Sequence, residues 1–270
     1  MSRVQVWSAR CVVVPICLAI AWAFAPACPA RADEQGAAAR AISAAAGDAV
    51  VQVRIVIKYR MSVEGEESQE EEGTNEVTAT VVDPSGLAVC ALSEVDPSHR
   101  MKMMGEEEEG YKFEADVTGV HYIMGEGKEI AGKVVLRDAD LDLAFLRPAE
   151  PPAEPFKAVD LTQSASPEVM DQLVVLGRLS EVANRAPYVG MDRVTAIVSK
   201  PRTLYIAGIG TWVAGLGVPA FTLDGKVVGI TVMRSIPSAA GSSEGGGATS
   251  MPVLLPAADV LKSAKQAPTA

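Results

Sequence analysis

Apolar and other residues alternate along much of this chain with a period of two. Val51, Val53, Ile55 and Ile57 are separated by single residues that include Gln52, a pattern typical of a half-buried strand. Comparable strand-like runs occupy residues 77–82, 87–92, 117–124, 130–136, 143–146, 172–176, 188–199, 204–206, 218–222, 227–233 and 252–255. Many short strands with turn residues between them predict an all-β protein, built as barrels or as a sandwich.

A proline-rich stretch at residues 148–157 separates these strands into two sets of six. Two sets of equal size favour two small barrels, one within residues 33–147 and one within residues 158–270. Two segments depart from the alternation. Residues 35–46 are rich in alanine and precede Gly47, and residues 256–265 begin with a proline, so both are predicted to be short helices.

The first 32 residues have the composition of a secretory signal peptide. Arg3 and Arg10 precede an apolar run at residues 11–24, and small residues then lead to Ala32, where we expect cleavage. The alternative is an uncleaved membrane anchor, but the uninterrupted apolar run is shorter than the ~20 residues that a membrane-spanning helix needs. The sequence therefore predicts a protein exported to the periplasm or secreted, with no membrane span after cleavage.

Removal of residues 1–32 would leave an acidic chain with one cysteine. The full chain has 24 basic and 34 acidic residues, and the segment removed contains three arginines and no acid, so 21 basic residues would remain against 34 acidic ones. A net charge of −13 makes nucleic acid an unfavourable partner. Cys90 would be the last cysteine, which excludes an intramolecular disulfide, and its apolar surroundings predict a buried thiol.

Two acidic runs, at residues 64–72 and 106–109, lie within the first set of strands, and residues 238–249 are rich in glycine, serine and alanine. We interpret all three as solvated loops. Calcium capture by the acidic runs is the alternative, but they lack the regular spacing of a calcium-binding loop. The sequence predicts no metal and no cofactor.

Several motifs follow one another in an order that points to a family. They are T-V-V-D-P-S-G-L-A-V-C-A-L-S at residues 80–93, D-L-D-L-A-F-L at 140–146, D-R-V-T-A-I-V-S at 192–199, A-G-L-G-V-P at 214–219, L-D-G-K-V-V-G-I at 223–230 and M-P-V at 251–253. In this order they resemble the protease domain of HtrA/Deg-type enzymes within the trypsin-like serine protease family. The resemblance covers residues 36–265 and implies two six-stranded antiparallel barrels, without the peptide-binding PDZ module that such proteases often carry.

The resemblance also implies where the catalytic groups should stand. A trypsin-like protease needs a histidine base, an aspartate that orients it, and a serine nucleophile beside an oxyanion hole. The corresponding positions here are Ser93, Asp142 and Leu216, so only the aspartate is retained. The remaining residues of the vestigial oxyanion loop are Ala214, Gly215 and Gly217. We expect no catalytic residue, and we expect Asp142 to accept a direct or water-bridged hydrogen bond from Ser93.

A shifted alignment does not restore the missing groups. No serine or cysteine occurs between Lys200 and Arg234. The chain has two histidines, His99 and His121, which we interpret as surface or hydrogen-bonded strand histidines. Loss of the nucleophile or the base alone costs on the order of 10⁶ in turnover, so proteolysis by this mechanism should be undetectable.

The leading hypothesis is therefore an exported, non-catalytic module that binds a protein or an extended peptide, in a cleft bordered by residues 211–216 and 227–234. One alternative is a serine-type endopeptidase or other hydrolase with a non-standard site, such as Thr211 with His99 or His121. Another is a structural subunit that assembles with active relatives. Fold resemblance alone does not establish activity.

Overall fold

The computed structural model describes residues 31–63, 68–104, 111–124, 127–237 and 248–269. Within these residues, five α-helices and twelve strands follow one another. They are α1 (Arg31–Ala46), β1 (Val50–Val63), β2 (Gln69–Asp83), β3 (Leu87–Ala91), α2 (Leu92–Val95), α3 (Pro97–Met104), β4 (Tyr111–Ile123), β5 (Glu129–Asp138), β6 (Leu143–Pro148), β7 (Gln172–Arg178), β8 (Pro187–Val198), β9 (Leu204–Ala207), α4 (Ile209–Ala214), β10 (Pro219–Thr222), β11 (Val227–Pro237), β12 (Ala248–Pro256) and α5 (Ala257–Ala264).

The strands form two closed antiparallel barrels of six strands each. The first has the order β1-β2-β3-β6-β5-β4 and the second has the order β10-β11-β12-β9-β8-β7. The predicted fold class is thus confirmed. Closure of each sheet into a barrel leaves few unpaired strand edges. Such a barrel can form from strands that are joined in sequence by short turns.

The alternation seen in the sequence corresponds to the inner face of the first barrel. Val53, Ile55 and Ile57 on β1 point into its core together with Ala88 and Cys90 on β3. Cys90 is fully buried, as predicted, and its thiol lies 3.6 Å from the carbonyl oxygen of Ala144. A separate apolar cluster fills the second barrel.

A third apolar cluster joins the two barrels. Leu87 and Val89 on β3 and Phe145 on β6 point away from the first barrel and pack with residues of the second, such as Leu176 and Ile230. Strands β3 and β6 are therefore buried on both faces, which explains why their sequences are continuously apolar. This packing fixes the groove between the barrels, where the candidate site lies.

The terminal helices were predicted, and the three short internal helices were not. Helix α1 begins at Arg31 and packs Ala39 and Ile42 into the cluster between the barrels. The polar residues of α2 and α3 give no helical periodicity in the sequence. Within the described residues, no helix has the length and apolar character needed to cross a membrane.

One loop prediction was wrong in part. Residues 69–72 continue strand β2, where Gln69 pairs with Met61 and Glu72 with Lys58. The negative charges are tolerated in a strand because basic residues lie across from them, as in the 2.6 Å ion pair between Lys58 and Glu70. Residues 64–67, the acidic run at 106–109, most of the glycine-rich segment at 238–249 and the first 30 residues of the predicted signal peptide lie outside the described residues.

Candidate functional site

Asp142 is the centre of the candidate site. It immediately precedes β6 and has a left-handed backbone (φ 55°), and its side chain is fully buried. Three donors surround the carboxylate. The Ser93 N–H lies 2.7 Å from Oδ1, the Ser93 hydroxyl lies 3.1 Å from Oδ2, and the N–H of Met233 lies 2.7 Å from Oδ2. These bonds replace the solvation that the buried charge has lost.

Ser93 stands at the position expected for the histidine base, in the four-residue helix α2. The residue is 2% exposed, and both its backbone and side-chain donors contact Asp142. The predicted direct Ser93–Asp142 contact is therefore confirmed. A serine that donates its hydroxyl to a carboxylate can position that carboxylate, but it cannot act as the imidazole base of a triad.

His99 lies close to Asp142, contrary to the expectation of a surface or strand histidine. Its Nε2 atom is 3.6 Å from Oδ1 of Asp142, and its side chain is 15% exposed. Nε2 is buried and has no hydrogen-bond partner among the described residues. The reason is the turn from α2 into α3, where the Asp96 carboxylate accepts hydrogen bonds from the N–H groups of Ser98 and His99 and so starts α3 above Asp142.

His121 matches the sequence interpretation. It lies on β4 with a side chain that is 37% exposed, and its Nδ1 is 3.5 Å from the Glu129 carboxylate. It takes no part in the candidate site.

Glu94 is a member of the site that the sequence did not indicate. Its Oε2 atom is buried without a hydrogen-bond partner in the described chain. Burial raises the pKa of Glu94 from 4.5 to about 7, and the nearby charge of Asp142 adds to this effect, while Arg100 opposes it. Burial likewise raises the pKa of the Cys90 thiol, with smaller contributions from Glu94 and Asp142.

The turn that carries Leu216 is packed against the first barrel. Leu216 is 7% exposed and lies between Gly215 (φ 91°) and Gly217 (φ 71°). The carbonyl oxygen of Gly217 accepts a 2.7 Å hydrogen bond from the Thr80 hydroxyl, and the Gly217 N–H donates to the carbonyl oxygen of Thr231. Since Met233 on the same edge of β11 donates to Asp142, strand β11 connects this turn with the aspartate.

Helix α4 precedes this turn and ends at Ala214, within the predicted oxyanion loop. Oδ2 of Asp192 on β8 accepts hydrogen bonds of 2.8 Å from both the N–H and the hydroxyl of Thr211, and Oδ1 accepts one from the N–H of Gly208. These contacts give partners to two of the N–H groups at the start of α4. Ala214 is the last residue of the helix, so its N–H is committed to the i→i−4 bond.

Comparison with known proteins identifies the family. A family model described as the trypsin-like peptidase domain matches residues 77–230, more than half of the 270-residue chain. The chain belongs to this trypsin-like family. The matched span includes Ser93, Asp142 and Leu216.

A solved structure with a similar fold is the MamO protease domain from Magnetospirillum magneticum in its apo form. It is 15% identical, with a TM-score of 0.48, and the match covers 81% of the present chain and 96% of the other. No curated protein matches.

The hydroxyl groups of Ser93 and Thr211 both donate hydrogen bonds to aspartates. Within the described residues, no serine, threonine or cysteine side chain is hydrogen-bonded to either histidine, and Thr211 is occupied by Asp192. In the part of the chain that the structure describes, no group of three histidine, cysteine or acidic residues has the arrangement of a metal site.

Proposed function

We propose that this trypsin-like protein is exported and binds a protein or an extended peptide without cleaving it. The observation that carries the proposal is the burial of Leu216, at the position predicted for the nucleophile, together with the hydrogen bond from Ser93 to Asp142. A peptide carbonyl at this position would contact the apolar side chain of Leu216 and would have no general base beside it. The Ala214 N–H is engaged in α4. Catalysis would therefore lack both the nucleophile and the base of a trypsin-like mechanism.

The edge of strand β11 supports the binding role. Strand β10 pairs with β11 only as far as Ile230, whereas the pairing with β12 continues to Pro237. Thr231 and Met233 direct their N–H groups to the β10 side, and strand alternation therefore directs the backbone of Ser235 to the same side. An extended peptide can add to such an edge through main-chain hydrogen bonds.

Binding is tested with the chain from residue 33 onward, immobilised and exposed to a library of extended peptides, with bound peptides identified by mass spectrometry. Ser235→Pro removes the edge N–H without removing a bond to β12, and should lower peptide retention at least tenfold. Ser235→Ala keeps the N–H and should bind like the wild type. Retention that is equal in both variants, or no retained peptide at all, would contradict the proposal.

Export is tested separately by expression of the full chain in a bacterial host. We expect the protein outside the cytoplasm, with Asp33 as its first residue after cleavage behind Ala32. A chain that keeps Met1 and stays with the membrane would support the anchor instead.

A hydrolase with a non-standard site is the second candidate, and the proximity of His99 to Asp142 is the observation in its favour. Its test is labelling by a serine-directed fluorophosphonate together with cleavage of casein. Labelling that disappears in His99→Gln would establish this candidate. We expect no labelling in either form. Co-purification of this protein with an active peptidase would instead support the remaining alternative, a structural subunit that assembles with active relatives.

A further inference from the structure

A cavity of about 450 Å³ lies between the first barrel and the C-terminal helix α5. Its wall is formed mainly by the end of β2, the start of β3, the end of β6, α5 and the residues that follow α5. Cavities of this size bind small molecules in many proteins. The cavity is separate from the candidate site, because Arg147 in its wall and Asp142 lie at opposite ends of β6, about 13 Å apart along the strand.

Much of the cavity wall is apolar. Leu87 on β3, Leu161 in the segment between the barrels and Ala267 after α5 are buried and belong to the apolar cluster that joins the barrels. Val82 on β2 and Leu261 on α5 are half-buried and pack against the same cluster. A ligand in this cavity can therefore remove an apolar group from water, which favours binding.

Two basic side chains line the cavity, and neither forms an ion pair with another residue that the structure describes. Arg147 on β6 donates a 2.6 Å hydrogen bond from Nη1 to the hydroxyl of Ser85. Its Nε is buried and has no hydrogen-bond partner in the described part of the chain. Lys265, the residue after α5, is exposed. The cavity therefore has hydrogen-bond donors and positive charge that the protein itself leaves without a carboxylate.

Among the described residues, the acid in the cavity wall is Asp83, and the turn that follows β2 already occupies it. Oδ1 of Asp83 accepts hydrogen bonds from the Ser85 N–H, at 2.9 Å, and from the Ser85 hydroxyl. Asp83 is therefore linked to Arg147 only through that hydroxyl. Two cations and one anion give the wall a net charge of +1, in a chain with a formal net charge of −10. This local charge favours an anionic ligand.

We propose that this cavity binds a small aliphatic carboxylate, with Arg147 and Lys265 at its carboxylate group and the apolar wall around its hydrocarbon chain. A guanidinium presents its donors in a planar fork that matches the two oxygens of a carboxylate. Because Nη1 is the nitrogen of Arg147 that is bonded within the described residues, a turn of the guanidinium towards the cavity gives Nε and Nη2 acceptors on the ligand. Lys265 adds a positive charge from the side of α5.

The test is a titration of the intact, nitrogen-15-labelled protein with octanoate, followed by NMR. The amide signals of Ser85, Leu87 and Ala267 should shift to saturation, while those of Met233 and Ser235 in the groove stay unchanged. 1-Octanol lacks the charge and acetate lacks the hydrocarbon chain, so each should bind at least about tenfold more weakly than octanoate. No saturable shift at the cavity, or an affinity for 1-octanol or acetate equal to that for octanoate, would overturn the proposal.

Two lysines near the C-terminus provide a matched pair of variants. Lys265→Gln removes a charge from the cavity and should weaken octanoate binding about threefold or more, whereas Lys262→Gln removes the same charge from an exposed position of α5 outside the cavity wall and should bind like the wild type. Equal affinity of these two variants for octanoate would refute the proposal.

Arg147→Gln should weaken octanoate binding at least about tenfold, because it removes the charged fork. If this variant does not fold, the comparison of the two lysine variants decides, since both change exposed side chains. The cavity wall contains no residue of β11, so failure of this proposal leaves the proposed peptide binding unaffected.

Discussion

Ser93 donates two hydrogen bonds to Asp142, one from its backbone and one from its hydroxyl, at the positions predicted for the histidine and aspartate of a trypsin-like protease. The pair joins α2 to the residue before β6, across 49 positions in the sequence. The aspartate thus serves the packing of the groove instead of orienting an imidazole base. Its partners are a serine and the N–H of Met233.

Removal of the Ser93 hydroxyl should destabilise the protein. Ser93→Ala removes one of the two donors to Oδ2 of the buried Asp142 carboxylate. We expect the free energy of unfolding to fall by about 1–3 kcal/mol. Urea denaturation followed by circular dichroism measures this. Ser166→Ala changes an exposed serine and should have no measurable effect. Equal stability of the Ser93 and Ser166 variants would show that the hydroxyl does not support Asp142.

Restoration of the nucleophile should not restore proteolysis. Leu216→Ser introduces a hydroxyl, but Ser93 still occupies the place of the base and the Ala214 N–H still belongs to α4. We expect fluorophosphonate labelling and casein cleavage to remain at background, since a missing base alone costs on the order of 10⁶ in turnover. Trypsin in the same assay is the positive control. Measurable labelling of Leu216→Ser would show that His99 can act as a base.

Gly217 should tolerate no side chain. A Cβ added there would lie 2.2 Å from the carbonyl oxygen of Thr78, and φ is +71°. Gly217→Ala combines backbone strain with a collision against another strand, so we expect a loss of at least about 3 kcal/mol or failure to fold. Gly215→Ala is the matched control, because φ is +91° but no atom lies within 4 Å, and should cost about 1–2 kcal/mol. Similar losses in both variants, measured by thermal unfolding, would contradict the packing of this turn.

Glu76 should make the protein sensitive to acid. The Arg185 guanidinium, from the second barrel, holds the pKa of this β2 carboxyl below 4.5, with a smaller contribution from Arg54 and with burial opposing both. A lowered pKa in the folded state gives stability that is present above pH 4.5 and is lost as the pH falls below it. Glu76→Gln should cost about 1–3 kcal/mol at pH 7 and less at pH 3.

Urea denaturation at pH 7 and at pH 3 checks this prediction, with the exposed Glu72→Gln as its control. A cost of Glu76→Gln that is the same at both pH values would show that the ion pair between the barrels does not contribute.

The strands of the barrels were predictable because their signal is local. Strand-like apolar patterns located the twelve strands of the described residues, either by alternation or, in β3 and β6, as continuous apolar runs of strands that are buried on both faces. The extension of β2 through residues 69–72 was missed, because glutamates enter a strand only when residues such as Lys58 face them across the sheet.

The two barrels could be predicted from the sequence because strand periodicity and the order of motifs depend on residues close together in the chain. The same motifs predict that Leu216 stands at the nucleophile's position. Apart from the predicted contact with Ser93, the surroundings of Asp142 became apparent only in the folded structure. Helices α2 and α3 have no apolar periodicity, so their path over the groove, the approach of His99 and the burial of Glu94 could not be inferred from neighbouring residues. Burial and proximity arise from contacts between distant segments, and these contacts fix the charge and hydrogen bonding of the site.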